Sequence, residues 1–102
     1  MPNAQKLTLR IYIAGMTPAA QRALRNLKAL CETYQGPEGY DIQLVDILEN
    51  PQLAEDEKIL ATPTVVRSLP PPIRKLVGDL ADREQAILGL DLVRPEDYLG
   101  PD

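Results

Sequence analysis

Histidine is absent from this 102-residue chain, and cysteine occurs once, as Cys31. Histidine is the commonest general base and a frequent zinc ligand, so its absence excludes Ser/His and Cys/His catalytic pairs and most zinc sites. A single cysteine cannot form an internal disulfide and is typical of a reducing compartment. Phenylalanine and tryptophan are also missing. We therefore expect an aliphatic core in which tyrosine supplies the only rings.

Two further classes are disfavoured by charge and hydropathy. The formal net charge is -4, so bulk attraction to nucleic acid or to an anionic membrane is not predicted. No apolar run approaches the roughly 20 residues of a membrane span, and the N-terminal residues lack the apolar segment of a signal peptide. We expect one soluble, cytoplasmic domain over residues 1–102, with residues 95–102 as a frayed tail.

The first half of the chain predicts a strand, a helix and a second strand. Apolar and polar residues alternate over residues 6–14, which indicates a strand. Thr17 and Pro18 occupy the N-cap and first positions of a helix that the apolar spacing extends to Tyr34. Residues 40–48 predict a strand buried on both faces, as in the centre of a sheet. Together these elements form a βαβ unit with a right-handed crossover.

Prolines divide the second half into shorter pieces. Asn50 and Pro51 start a short helix over residues 51–60. A strand at residues 64–67, which begins with a β-branched run at residues 64–66, follows Pro63. The triple proline at residues 70–72 separates it from a second strand at residues 73–77, although residues 74–76 also favour a helix. Proline fixes φ and removes a backbone donor, so a long helix is excluded here.

Two structures remain open for the final segment. Asp82 as N-cap with Gln85 at the capping-box position predicts a helix over residues 83–88. The alternation of leucine with Gly89 and Asp91 at residues 88–92 favours a strand instead, and glycine weakens a helix interior. With the helix, the order is βαβαββα, an α/β, thioredoxin-like fold. Pro63 then occupies the position of that fold's usual cis-proline.

Chemistry typical of thioredoxin-like enzymes is missing from the expected positions. Their redox thiols lie in the loop after the first strand, here residues 15–20, which contains no cysteine. Cys31 falls on the apolar stripe of the helix and is expected to be a buried hydrophobe. Thr17 together with Pro63 permits a divergent thiol-transferase as an alternative, although an N-cap role accounts for Thr17 alone.

No cofactor or metal site is predicted either. Glu55, Asp56 and Glu57 are adjacent on a helix and point in different directions, so they cannot chelate one ion together. The glycines are isolated and form no phosphate-binding loop. The basic residues can be ordinary surface charges, or they can form one basic patch for an acidic protein partner: Arg22, Arg25, Arg67, Arg74 and Lys75.

Three stretches make the chain resemble a known family: LRIYIAGMTP at residues 9–18, NPQLAEDEKILATPT at residues 50–64 and LPPPIRKLVGDL at residues 69–80. They resemble the KaiB family of circadian clock proteins. The resemblance implies a non-enzymatic regulator that binds the hexameric ATPase KaiC, sequesters KaiA and competes with a KaiB-like sensor domain of a histidine kinase. A KaiB-like paralogue in stress signalling is an alternative.

The resemblance also implies a metamorphic protein. Its KaiC-binding form is thioredoxin-like, and its alternative form is a tetrameric βαββααβ packing. We expect the isolated chain to adopt mainly the thioredoxin-like form. Partner-binding roles are implied for Arg22, Lys58, Arg67 and Arg74. Roles in fold switching or proline isomerisation are implied for Pro63, Pro70, Pro71, Pro72, Gly89 and Asp91.

Overall fold

The computed structural model describes residues 6–94, so the predicted frayed tail lies outside the described residues. The element order is the predicted βαβαββα. In chain order the elements are β1 (Leu7–Ile13), α1 (Pro18–Tyr34), β2 (Tyr40–Asp46), α2 (Pro51–Asp56), β3 (Thr64–Leu69), β4 (Arg74–Val77) and α3 (Arg83–Gly89). Within residues 6–94, no helix has the length and apolar character needed to cross a membrane.

Four strands form one mixed sheet in the order β2-β1-β3-β4. Strand β1 pairs in parallel with β2 and antiparallel with β3, and β4 pairs antiparallel with β3. The prediction that β2 is a central strand was wrong, because β2 lies at the edge and only Val45 in it is buried. The central strands are β1 and β3, and each has buried residues on both faces. An apolar pattern on two faces reports hydrophobicity and does not identify which strand has two neighbours.

The two faces of the sheet differ in how they are covered. Helices α1 and α3 pack on one face and enclose the main core, which includes Leu9, Ile11, Leu27, Val65 and Leu90. The other face carries a smaller cluster. Its members are Tyr12, Val45 and Val66, with Ile47 and Ile59 packed against them.

Helix α1 has the predicted bounds and N-cap. The Thr17 hydroxyl accepts a hydrogen bond from the amide of Ala20 at 3.1 Å, and Pro18 begins the helix. Cys31 is buried in the main core, as predicted. Burial, with a smaller contribution from Glu32, raises the pKa of its thiol to about 12. The thiol is therefore protonated near neutral pH and acts as a small hydrophobe.

Capping chemistry decides the final segment in favour of a helix. The carboxylate of Asp82 accepts a hydrogen bond from the amide of Gln85 at 3.1 Å. After α3 ends, Leu90 and Leu92 return to the main core, whereas Leu88 is exposed. The alternation of leucines therefore does not form a strand. A Cβ at Gly89 would lie 2.9 Å from Cδ1 of Leu76, so the glycine allows α3 to approach β4 closely.

Helices α2 and α3 end in the same type of C-terminal turn. In α2, the amide of Ile59 donates to the carbonyl of Ala54 at 2.8 Å, and the amide of Lys58 donates to Glu55 at 3.1 Å. This pair of bonds is the Schellman motif, whose left-handed position usually holds glycine. Here Lys58 occupies it with φ 56°, and Asp91 occupies the equivalent position after α3 with φ 52°. A residue with a Cβ is disfavoured there by about 1 kcal/mol.

Replacing Lys58 tests this strain. We expect Lys58→Gly to increase the free energy of unfolding by up to about 1 kcal/mol relative to Lys58→Ala, because alanine keeps the Cβ and glycine does not. Urea denaturation of the two variants measures the difference, and both lose the same charge. Equal stability of the two variants would contradict the interpretation.

Candidate functional site

Several connecting loops meet at one end of the sheet. Strands β1 and β2 both end there because they are parallel. Strand β3 begins there and β4 ends there, and the amide of Gly78 donates to the carbonyl of Pro63 at 2.9 Å. We call this region the loop end, comprising residues 14–17, 47–50, 57–63 and 77–81. These four segments belong to different connections or element ends along the chain, and the strand directions bring them to one end of the sheet.

One carboxylate joins two of these loops. Oδ1 of Asp46 accepts hydrogen bonds from the amides of Gly15, at 3.2 Å, and Leu48, at 3.0 Å. Gly15 has φ 77°, a conformation that glycine adopts without strain. The loop that carries thiols in redox enzymes is here fixed by the hydrogen bond from its Gly15 amide to the Asp46 carboxylate, and it contains no cysteine.

Apolar side chains project from the loop end into solvent. Leu60 is 96% exposed, Leu48 70%, Val77 64% and Met16 47%. Exposed aliphatic residues grouped at one end of a small domain are typical of a protein-binding surface. Sequence reasoning missed these four residues. Each lies just after or at the end of an apolar segment, and hydrophobicity alone does not show which residue of a segment leaves the core.

Lys58 adds a cation at the C-terminal turn of α2, in the segment that leads to β3. It is exposed and immediately precedes Ile59, which packs into the smaller cluster. The peptide bond preceding Pro63 is cis, as the fold prediction expected. The bonds preceding Pro70 and Pro72 are also cis.

Arg67 is not a surface charge, and this corrects the sequence analysis. Its side chain is only 3% exposed. It donates hydrogen bonds to the carbonyls of Pro72, at 2.8 Å, and Asp91, at 3.3 Å. The strand register pairs Arg67 with Leu9, beside a β-bulge, and so places it on the helix-covered face. Buried charged groups require such directed partners, and the sequence does not show that two distant carbonyls meet this side chain.

Arg22 and Arg74 lie far from each other. Arg22 forms an ion pair with Asp79 at 2.9 Å, just beyond the end of β4. Arg74 begins β4 and lies 3.7 Å from Asp91. Since Arg67 is buried and the other two arginines pair with carboxylates toward opposite ends of β4, these three arginines do not form one exposed basic patch.

Most of the residues linked by resemblance to fold switching lie away from the loop end. Arg67 connects Pro72 to Asp91, and Asp91 also contacts Arg74. Gly89 packs against Leu76 of β4. The structure therefore groups two residues expected to bind partners, Arg67 and Arg74, with residues expected to govern the fold. Pro63 is the member that lies at the loop end.

Removing the Arg67 guanidinium should destabilise this packing. We expect Arg67→Met to lower the free energy of unfolding by about 2–3 kcal/mol, because two carbonyls lose a charged donor. Arg74→Met should change it by less than about 1 kcal/mol, because its ion pair is long and exposed. Urea denaturation compares them, and equal losses in the two variants would contradict the assignment.

The Arg22 ion pair predicts a pH dependence. The hydrogen bond from Arg22, followed by that from the amide of Ala81, lowers the pKa of Asp79 below its ordinary 3.8. A lowered carboxylate pKa stabilises the fold at neutral pH, and that contribution is lost as pH falls through the lowered value. We expect the stability difference between wild type and Arg22→Met to shrink on acidification below 3.8.

Urea midpoints across the acid range measure that difference, and an NMR titration of the Asp79 carboxyl carbon follows the group itself. Arg25→Met is the matched control, because it removes the same charge about one turn further along α1. A difference between wild type and Arg22→Met that stays constant with pH would refute the role of the pair.

The family model of the KaiB domain matches residues 10–92. The circadian clock oscillator protein KaiB of Acaryochloris marina is 54% identical over 89 residues, covering 86% of this chain and 84% of that protein. The circadian clock oscillator protein KaiB1 of Synechocystis is 50% identical over 96 residues, covering 93% and 90%.

Solved structures give the same fold. The N-terminal domain of SasA from Synechococcus elongatus superimposes with a TM-score of 0.72 at 23% identity, covering 97% of this chain and 88% of that one. The thioredoxin Deadhead of Drosophila melanogaster gives a TM-score of 0.64 at 18% identity, covering 88% and 84%. The thioredoxin-like prediction is confirmed. The domain match over residues 10–92, together with relatives about half identical over most of their length, shows that this chain belongs to the KaiB family.

Proposed function

We propose that this chain is a non-enzymatic circadian clock regulator that binds a KaiC-type hexameric ATPase in its thioredoxin-like form and modulates the phosphorylation cycle of that ATPase. Its relatives are named circadian clock oscillator proteins, which supports the clock role. The observation that carries the binding proposal is the loop end, which exposes Leu48 and Leu60 and carries the exposed cation Lys58 two residues before Leu60.

The loop end has properties that favour binding to a protein. Burying an exposed leucine against a partner contributes roughly 1.5–3 kcal/mol. The Asp46 carboxylate already fixes two of the loops, so little conformational entropy is lost on association. Lys58 would provide charge complementarity to a carboxylate on the ATPase, which contributes mainly to specificity and association rate.

The proposal also includes interactions with other clock proteins. The N-terminal domain of SasA shares this fold, which supports competition between a KaiB-like sensor domain and this chain for one ATPase surface. Capture of KaiA and exchange with a tetrameric βαββααβ form rest on the family resemblance. In that exchange, the contacts of Arg67 with Pro72 and Asp91 would belong to the thioredoxin-like packing.

Substitutions at the loop end test the binding proposal. We expect the chain to comigrate with a phosphomimetic KaiC hexamer in size exclusion. Leu60→Asp and Lys58→Glu should each weaken binding at least about tenfold, since each removes a contact worth more than about 1.4 kcal/mol.

Leu88→Asp is the matched control for Leu60→Asp. Leu88 is equally apolar and strongly exposed, but it lies near the end of α3. Failure of the wild-type chain to comigrate would count against binding of this ATPase. An equal loss of binding in Leu88→Asp would place the contact outside the loop end.

A further inference from the structure

Helix α2 has few interactions of its own that fix its end. It is six residues long, none of them buried, and the side chain of its N-cap, Asn50, makes no capping hydrogen bond. Its C-terminal turn holds Lys58 in a left-handed conformation that favours glycine. Isolated helices of this length are not stable in water. Contacts from elsewhere in the domain must therefore hold the turn that carries Lys58.

The strand register shows where such contacts come from. Arg10, Val66 and Lys75 are aligned across β1, β3 and β4. They lie on the face of the smaller cluster. The backbones of Arg10 and Lys75 are two strand spacings apart, a total of about 10 Å. Val66 between them is buried in that cluster, and Ile59, just after the turn, packs against it.

Both cations of this row interact with Glu57. Nζ of Lys75 donates a hydrogen bond to the main-chain carbonyl of Glu57, which is the C-cap of α2. A cation at a helix C-terminus stabilises the exposed carbonyls there. On the other side, Arg10 donates to the Tyr12 hydroxyl at 3.2 Å. That bond is the main cause that raises the pKa of Arg10, and the carboxylate of Glu57 adds to the effect.

We propose that Lys75 is a positioning residue: through the carbonyl of Glu57 it fixes the C-terminal turn of α2, so that Lys58 and Leu60 are held in the orientation that binds the partner. The last step rests on the proposed function, whereas the fixing of the turn does not. Because Lys75 lies on β4, the orientation of this part of the loop end depends on the pairing of β4 with β3.

Amide exchange in the isolated full-length chain tests the positioning step. The amides of Lys58 and Ile59 close the turn, so their exchange reports on its opening. Lys75→Met keeps most of the aliphatic length and removes the donor. We expect these two amides to exchange about three- to tenfold faster in Lys75→Met, the effect of losing one hydrogen bond.

Arg74→Met is the matched control, because it removes the same charge from the adjacent residue, which faces the other side of the sheet. It should leave both amides unchanged, and Lys75→Arg should restore slow exchange. Unchanged exchange in Lys75→Met would overturn the proposal, and so would equally fast exchange in Arg74→Met.

Binding to the KaiC-type hexamer tests whether the fixed turn orients Lys58 and Leu60 for the partner. Lys75→Met should weaken binding, and its effect should not add to that of Lys58→Met, since both substitutions act on one contact. Weaker binding of Lys75→Met with unchanged exchange would show that Lys75 touches the partner directly, and would overturn the positioning role. If the wild-type chain does not bind the hexamer, the proposed function fails, and the exchange result still decides whether Lys75 fixes the turn.

Discussion

The fold depends on burial of β1 on both faces. Its odd-numbered residues enter the main core beneath α1 and α3, and Tyr12 enters the smaller cluster on the other face. Both β2 and β3 pair with this strand. Without phenylalanine or tryptophan, the chain obtains its hydrophobic stabilisation from many small aliphatic contacts that converge on one strand.

The loop end results from the directions in which β2 and β3 run relative to β1. Parallel pairing with β2 places residues 14–17 and 47–50 side by side, and the Asp46 carboxylate fixes them. Antiparallel pairing with β3 adds residues 57–63. The result is a rigid base that carries exposed leucines, with Lys58 on a turn whose left-handed conformation is strained.

Directed polar contacts contribute more to packing in the second half of the chain than in the first. Arg67 joins the triple-proline segment to the turn after α3, and Lys75 joins β4 to the turn after α2. Each contact links two segments that lie apart in the sequence. Such contacts have specific geometry and are lost together when the segments repack, whereas aliphatic contacts can be exchanged for one another.

The sequence by itself determined the elements whose signals are local. Thr17 and Pro18 fixed the start of α1, Asp82 and Gln85 the start of α3, and the motifs at residues 50–64 and 69–80 the family. Tertiary structure decided which strand is central, that Arg67 is buried, and that Met16, Leu48, Leu60 and Val77 share one exposed end. The reason is physical: caps and turns depend on neighbours along the chain. Burial depends on strand order, register and a β-bulge, which arise from pairing between distant segments.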